Sequence, residues 1–112
     1  MVPIHFTTGT SAPVWTQAGN FGSFYGAVGT VAETFFLKIY WQNATNTPPV
    51  AGTAIPNITI EFPTSPTAVP GVIFTRPLVQ TGPMFYLVTK NAGDTDATAL
   101  STGGDVITLL VE

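Results

Sequence analysis

The 112-residue chain contains no cysteine, which excludes disulfide bridges, thiolate zinc sites and cysteine nucleophiles together and leaves the redox compartment open. Histidine is nearly absent as well. A Ser-His-Asp arrangement would have to use His5, the single histidine, in a terminal segment of the kind that is seldom held in place. Charge is scarce too: six acids (Glu33, Glu61, Asp94, Asp96, Asp105, Glu112) and three bases (Lys38, Arg76, Lys90) amount to 8% of the residues and a net charge of -3, where an average globular domain carries about 25%. Three bases cannot neutralise a run of phosphates, so nucleic acid is not an expected partner. No apolar run approaches the ~18 residues of a membrane helix. Met1–Phe6 has neither a basic leader nor a long apolar stretch, so neither a membrane partner nor a secretory signal is expected.

What is present suits a compact β protein. Hydrophobic residues make up 45% and the mean hydropathy is +0.35, enough to fill a core and incompatible with disorder. The length fits one domain over residues 1–112. A folded chain of this mass exposes about 5,900 Å², and nine charges spread over that area are too few for an ordinary solitary protein. An exterior of this kind is most easily tolerated where neighbouring subunits cover it, so assembly is the first functional expectation.

Nineteen Thr, eleven Ala, eleven Gly and ten Pro account for 51 of the 112 residues, a vocabulary of strands and turns that breaks any helical stretch early. Glu33–Gln42 alternates, with Phe35, Leu37, Ile39 and Trp41 on a core face and Phe36, Lys38, Tyr40 and Gln42 on the other. Asn57–Phe62 alternates between Pro56 and Pro63, with Ile58, Ile60 and Phe62 inward. Gly71–Thr75, Met84–Lys90 and Asp105–Val111 read as further strands, and Ala12–Gln17 and Phe21–Ala27 as weaker ones around the turn Ala18–Asn20. The fold class is all-β, a single antiparallel β-sandwich of jelly-roll or Ig-like kind, with a small β-barrel as the alternative. Residues 1–11 lack a strong core pattern and read as an extended N-terminal arm able to reach a neighbouring subunit.

Residues able to carry chemistry are few. Asp94 and Asp96 lie too close in sequence to suggest a cleft pair of carboxylates. Asn91, Asp94 and Asp96 could begin a calcium loop, but too few ligands accompany them, and an Asx turn is the expected structure. No metal, cofactor or catalytic residue is assigned, and the expectation is a protein without enzymatic activity. Asn43-Ala-Thr45 and Asn57-Ile-Thr59 are glycosylation sequons that arise easily in a Thr-rich chain. The loops Asn43–Ala54 and Asn91–Gly104 are long enough to be contact elements. Tyr25, Phe36, Tyr40 and Tyr86 stand on strand faces opposite the core. They read either as part of a second core layer beneath loops or as anchors of a protein interface, with a sugar-stacking platform as a third use. Taken as interface residues, the candidates are Val2, Ile4, Phe6, Phe36, Tyr40 and Tyr86.

The segments Phe35–Tyr40, Pro49–Thr53 with Ile55-Pro56, Ile58–Ile60 with Phe62-Pro63, Ala92–Ala97 and Gly104–Val106, in that order, resemble small all-β virion structural proteins of tailed bacteriophages. The likeness spans residues 33–112 and is interrupted by the Pro-rich insert Thr64–Pro70. It implies a capsid decoration or cement protein on the head exterior, a homo-oligomer on a symmetric lattice with the major capsid protein or other virion subunits as partner. A receptor- or glycan-binding module of a phage tail or fibre, built on the two long loops, is the alternative.

Overall fold

A computed structural model of the chain describes residues 2–9, 16–19, 23–41, 50, 52–79 and 84–112. Eight strands occur among them: β1 (Val2–Thr7), β2 (Thr16–Gly19), β3 (Ser23–Val31), β4 (Phe35–Trp41), β5 (Ile58–Phe62), β6 (Ser65–Val79), β7 (Met84–Thr89) and β8 (Val106–Val111). They form two four-stranded antiparallel sheets, ordered β1-β8-β3-β6 and β2-β7-β4-β5. The two sheets pack face to face as a β-sandwich, and no closed barrel is present among the described residues.

Period-two alternation builds the core from both sheets. Phe35, Leu37, Ile39 and Trp41 of β4 point inward with Ile60 and Phe62 of β5, and they meet Ile107, Leu109 and Val111 of β8 and Phe24, Ala27 and Val31 of β3. Rings lock this layer. Phe35 stacks on Phe62 at 4.9 Å, and Phe24 meets Trp41 and Phe74 edge-on at 6.0 and 5.9 Å, arrangements that add to simple area burial. Gly71 lets β6 approach this layer, because a Cβ there would lie 2.5 Å from the Phe62 ring.

Several segments differ from the sequence expectation: β2 occupies Thr16–Gly19 and so includes Ala18 and Gly19 of the expected turn, β3 continues past Ala27 to Val31, and the largest differences lie in β6 and at the N-terminus. β6 runs for fifteen residues through Pro66, Pro70 and Pro77, where only Gly71–Thr75 was expected to be strand. The prolines are accommodated because β6 is an edge strand paired only with β3, and its register shifts three times along that partner, the setting in which a missing N–H does not break a ladder. The N-terminal segment is likewise no free arm. Val2–Thr7 pairs with Val111–Val106 of β8 in six consecutive positions, and Thr8 continues the tie through N–H donation to the Asp105 carbonyl at 2.8 Å. Ile4 and Phe6 are half-buried against the core, and Phe6 stacks on Tyr86 of the opposite sheet with centroids 4.2 Å apart.

Deleting residues 2–7 therefore removes an integral strand. The expected result is a loss of roughly 2–4 kcal/mol, the burial of two half-covered apolar side chains and their ring contact, read as a lowered urea midpoint. A truncated chain as stable as the intact one would contradict the observed pairing.

Candidate interaction surface

On the outer face of the β2-β7-β4-β5 sheet the central strands β4 and β7 are covered by loops, while Thr59 and Glu61 of β5 stay exposed. Tyr40 of β4 is 2% exposed, and it forms a second small core with Phe85 and Leu87 of β7, against which Ala54 packs. Lys38 stands beside them on the same face of β4 and is fully buried. Its ammonium donates to the carbonyls of Gly93 at 2.6 Å and Asp96 at 2.8 Å, so a main-chain loop, and no single carboxylate, solvates the charge. Burial holds this ammonium below the usual lysine range, opposed by the neighbouring Asp96 and Asp94 charges. Burial likewise raises the Tyr40 hydroxyl.

The loop over Lys38 is ordered by its own acid. Asp96 Oδ1 accepts from the Thr98 N–H at 2.9 Å, and Oδ2 accepts from Thr98 Oγ1 at 3.1 Å and Asn91 Nδ2 at 3.2 Å. These bonds, the Thr98 N–H foremost, hold the Asp96 carboxyl below its ordinary value. The Asn91, Asp94 and Asp96 group thus folds as an Asx turn, with Asp94 left exposed.

The outer face of the other sheet is open and has a different character. Register places Pro3, Leu110, Gly26 and Ile73 in one row across β1, β8, β3 and β6. His5, Thr108, Val28 and Pro70 form the next row, followed by the pair Thr7 and Val106. No Asp, Glu, Lys or Arg stands in these rows. His5 bonds across to Thr108 Oγ1 at 2.8 Å, and Ile73 is 59% and Val106 47% exposed. Glu112, which accepts from the Tyr25 hydroxyl at 2.7 Å, lies two residues beyond Leu110 on β8 and marks the margin of the face.

This arrangement reassigns the surface expected from sequence. Tyr40 and Tyr86 are 2% and 7% exposed and line the two cores, so the outward placement read for them is corrected: loops cover one, and a reversed face on β7 carries the other inward. Ile4 and Phe6 point toward the core, while Pro3, His5 and Thr7 between them are exposed. Phe36 is half-buried, opposite Glu61 of β5 and Thr89 of β7. For Val2 the backbone pairs with Val111, and its side chain lies outside the description. Asn43–Pro49 and Ala51 of the first long loop, with its sequon at Asn43, and the Ala12–Trp15 part of the first weak strand also lie outside the described residues. The second sequon asparagine, Asn57, is exposed and accepts from the Trp41 N–H at 2.9 Å. The open face was missed although β8 announced it: once Ile107, Leu109 and Val111 are inward, Val106, Thr108 and Leu110 must be outward.

No family model, no curated protein and no solved structure matches the chain.

Lys38→Met keeps the stem and removes the ammonium. Hydrogen exchange at the Asp96 and Thr98 amides should accelerate at least tenfold, with β3 and β8 unchanged, because the loop loses its anchor while the main core keeps its own. The pH dependence has a fixed sign: the unfolded chain holds the lysine proton more tightly than the folded one, so the Lys38 contribution to stability rises with pH through the lowered folded value up to the ordinary 10.5. Tyr40 acts oppositely above its ordinary 10.0. Urea midpoints of the intact chain relative to Lys38→Met should therefore climb as the pH rises toward 10.5, and a flat difference would contradict the buried charge.

Proposed function

We propose that the chain is a non-enzymatic structural subunit of a larger symmetric assembly, a capsid decoration or cement protein bound to the outer surface of a tailed-bacteriophage head. The observation that carries this reading is the set of uncharged rows across the outer face of the β1-β8-β3-β6 sheet, with the exposed Arg76 of β6 and Glu112 outside them. Lys38 and Asp105 are buried, so seven charged side chains serve a surface of 5594 Å², and none of the seven stands in the rows of that face. A flat Thr-, Pro- and aliphatic-lined sheet can pack against another protein without stranding a charge, which is the feature that distinguishes the centres of protein interfaces.

The size of the face sets the mechanism. Four strands about 4.8 Å apart and some five residues long span roughly 19 by 17 Å, less than the ~800 Å² per partner of a standard stable interface. One contact of this size is modest. Many copies engaging a lattice and one another simultaneously make the whole resistant to opening.

Because apolar and main-chain contacts are not screened, attachment should persist when purified particles are washed in about 1 M salt. Ile73→Lys and Thr108→Lys place a charge in the face at exposed or half-exposed positions. Each should leave the melting temperature within a few degrees and reduce particle occupancy at least tenfold. Full occupancy by both variants, or complete release of the intact chain by salt, would contradict the proposal. Copy number per particle separates the readings: a number near that of the major capsid protein fits decoration, and a handful fits a receptor- or glycan-binding module.

A further inference from the structure

β1 is an edge strand of its sheet, and its free side is regular and uncharged. It pairs with β8 without a register shift, and Thr8 shows which way its main chain turns. The Thr8 N–H donates to the Asp105 carbonyl and the Thr8 carbonyl accepts from the Gly104 N–H, both at 2.8 Å. Main-chain direction alternates along a strand, so Val2, Ile4 and Phe6 also turn toward β8, and Pro3, His5 and Thr7 turn away from it. β8 agrees: Glu112 and Ser23 of β3 exchange main-chain bonds at 2.8 and 2.9 Å, which leaves Val111, Leu109 and Ile107 to face Val2, Ile4 and Phe6. The outer edge of β1 therefore presents the N–H groups of His5 and Thr7 and the carbonyls of Pro3, His5 and Thr7, without a hydrogen-bond partner among the described residues. All three side chains are exposed.

The other three edges are guarded. β6 carries Pro66, Pro70 and Pro77, β5 displays the exposed Glu61, and β2 is four residues long with a register shift, devices by which sheets avoid strand addition. β1 has only Pro3, and its exposed groups are complementary to themselves. Under a twofold axis normal to the sheet at His5, each His5 exchanges both bonds of a close antiparallel pair with His5 of the partner subunit. Each Thr7 N–H then reaches the carbonyl of Pro3 of the partner subunit, so the missing proline N–H leaves only the Thr7 carbonyl to water. Ile4 of one copy comes opposite Phe6 of the partner subunit, which covers flanks that are half-buried in a single copy. The axis keeps both outer faces on one side. One face of roughly 19 by 17 Å becomes a joint face of roughly 38 by 17 Å, near the ~800 Å² per partner of a standard interface. We infer that two copies of this chain pair antiparallel through β1, joining their four-stranded sheets into one continuous sheet. The dimer enlarges the face proposed for attachment, but its own contacts lie on the edge and need no particle.

A pairing of this size is weak, with a dissociation constant on the order of 0.1 mM. Sedimentation equilibrium of the intact chain should pass from 11.8 kDa to twice that mass as concentration rises through this range. His5→Pro removes an N–H that faces away from β8, so the β1-β8 ladder keeps its bonds. The melting temperature should stay within a few degrees while the dimer weakens at least tenfold. His5→Lys sets like charges against each other across the axis and should weaken it as much. In this cysteine-free chain, His5→Cys places two sulfurs on Cα atoms about 5.5 Å apart, the spacing a disulfide prefers. Mild oxidation should link it into a covalent dimer at least tenfold faster than Val50→Cys, at an exposed position away from β1. A chain that stays monomeric at about 1 mM, a dimer that survives both His5→Pro and His5→Lys, or equal cross-linking of the two cysteine variants would overturn the assignment. If His5→Pro fails to fold, the lysine variant and the cross-link decide. Failure here leaves particle attachment by single copies standing, and failure of attachment leaves the dimer standing.

Discussion

A fully buried lysine organises one side of this molecule. Lys38 sits on the face of β4 that alternation assigns to solvent, yet the loop of residues 91–98 folds over it and supplies two carbonyls. An ammonium removed from water must find acceptors nearby, and the main chain provides them without placing a second charge against it. Tyr40, Phe85 and Leu87 are covered on the same face of the sheet. The Asp96 turn gives the loop the rigidity to act as that cover, since its carboxylate satisfies both the N–H and the hydroxyl of Thr98.

Closing one sheet leaves the other as the molecule's broad open face, and the two are chemically unlike. The closed side carries Asp94, Lys90 and the half-buried Asp96 on its loops and Glu61 on β5. The open side presents three cross-strand rows without a charge. Charged loops on one side favour contact with water, while uncharged sheet rows can be covered by another protein surface without stranding a charge. The strand edges are consistent with controlled association, because Pro66, Pro70 and Pro77 on β6 remove N–H donors from the edge of the open sheet and so discourage indiscriminate strand addition.

Much of the sandwich was legible in the sequence, and the failures have physical causes. The inward faces of β4, β5 and β8 follow directly from Phe35–Trp41, Ile58–Phe62 and Ile107–Val111, because alternation is a local property and the core enforces it. The length of β6 was not legible, since three prolines look like breaks unless the strand is known to lie at an edge. The pairing of β1 was not legible either: its partner β8 lies a hundred residues away, and His5 and Thr108 are joined only by the fold. The burial of Lys38 and Tyr40 depends on carbonyls of a distant loop, and a carbonyl has no side-chain signature. Asp105 shows the same limit, because the Thr8 hydroxyl and the Ala32 N–H are brought to it by separate turns of the chain.

Hydroxyl-radical footprinting of the intact chain, free and mixed with purified phage heads, tests the proposed attachment through the uncharged rows most directly. Ile73, Leu110 and His5 should lose most of their reactivity on binding, while the exposed Val50 and Ile55 of the segment beside the closed sheet keep theirs. Protection of Val50 and Ile55 with Ile73, Leu110 and His5 unchanged would contradict the account and move the contact to the loop-covered side.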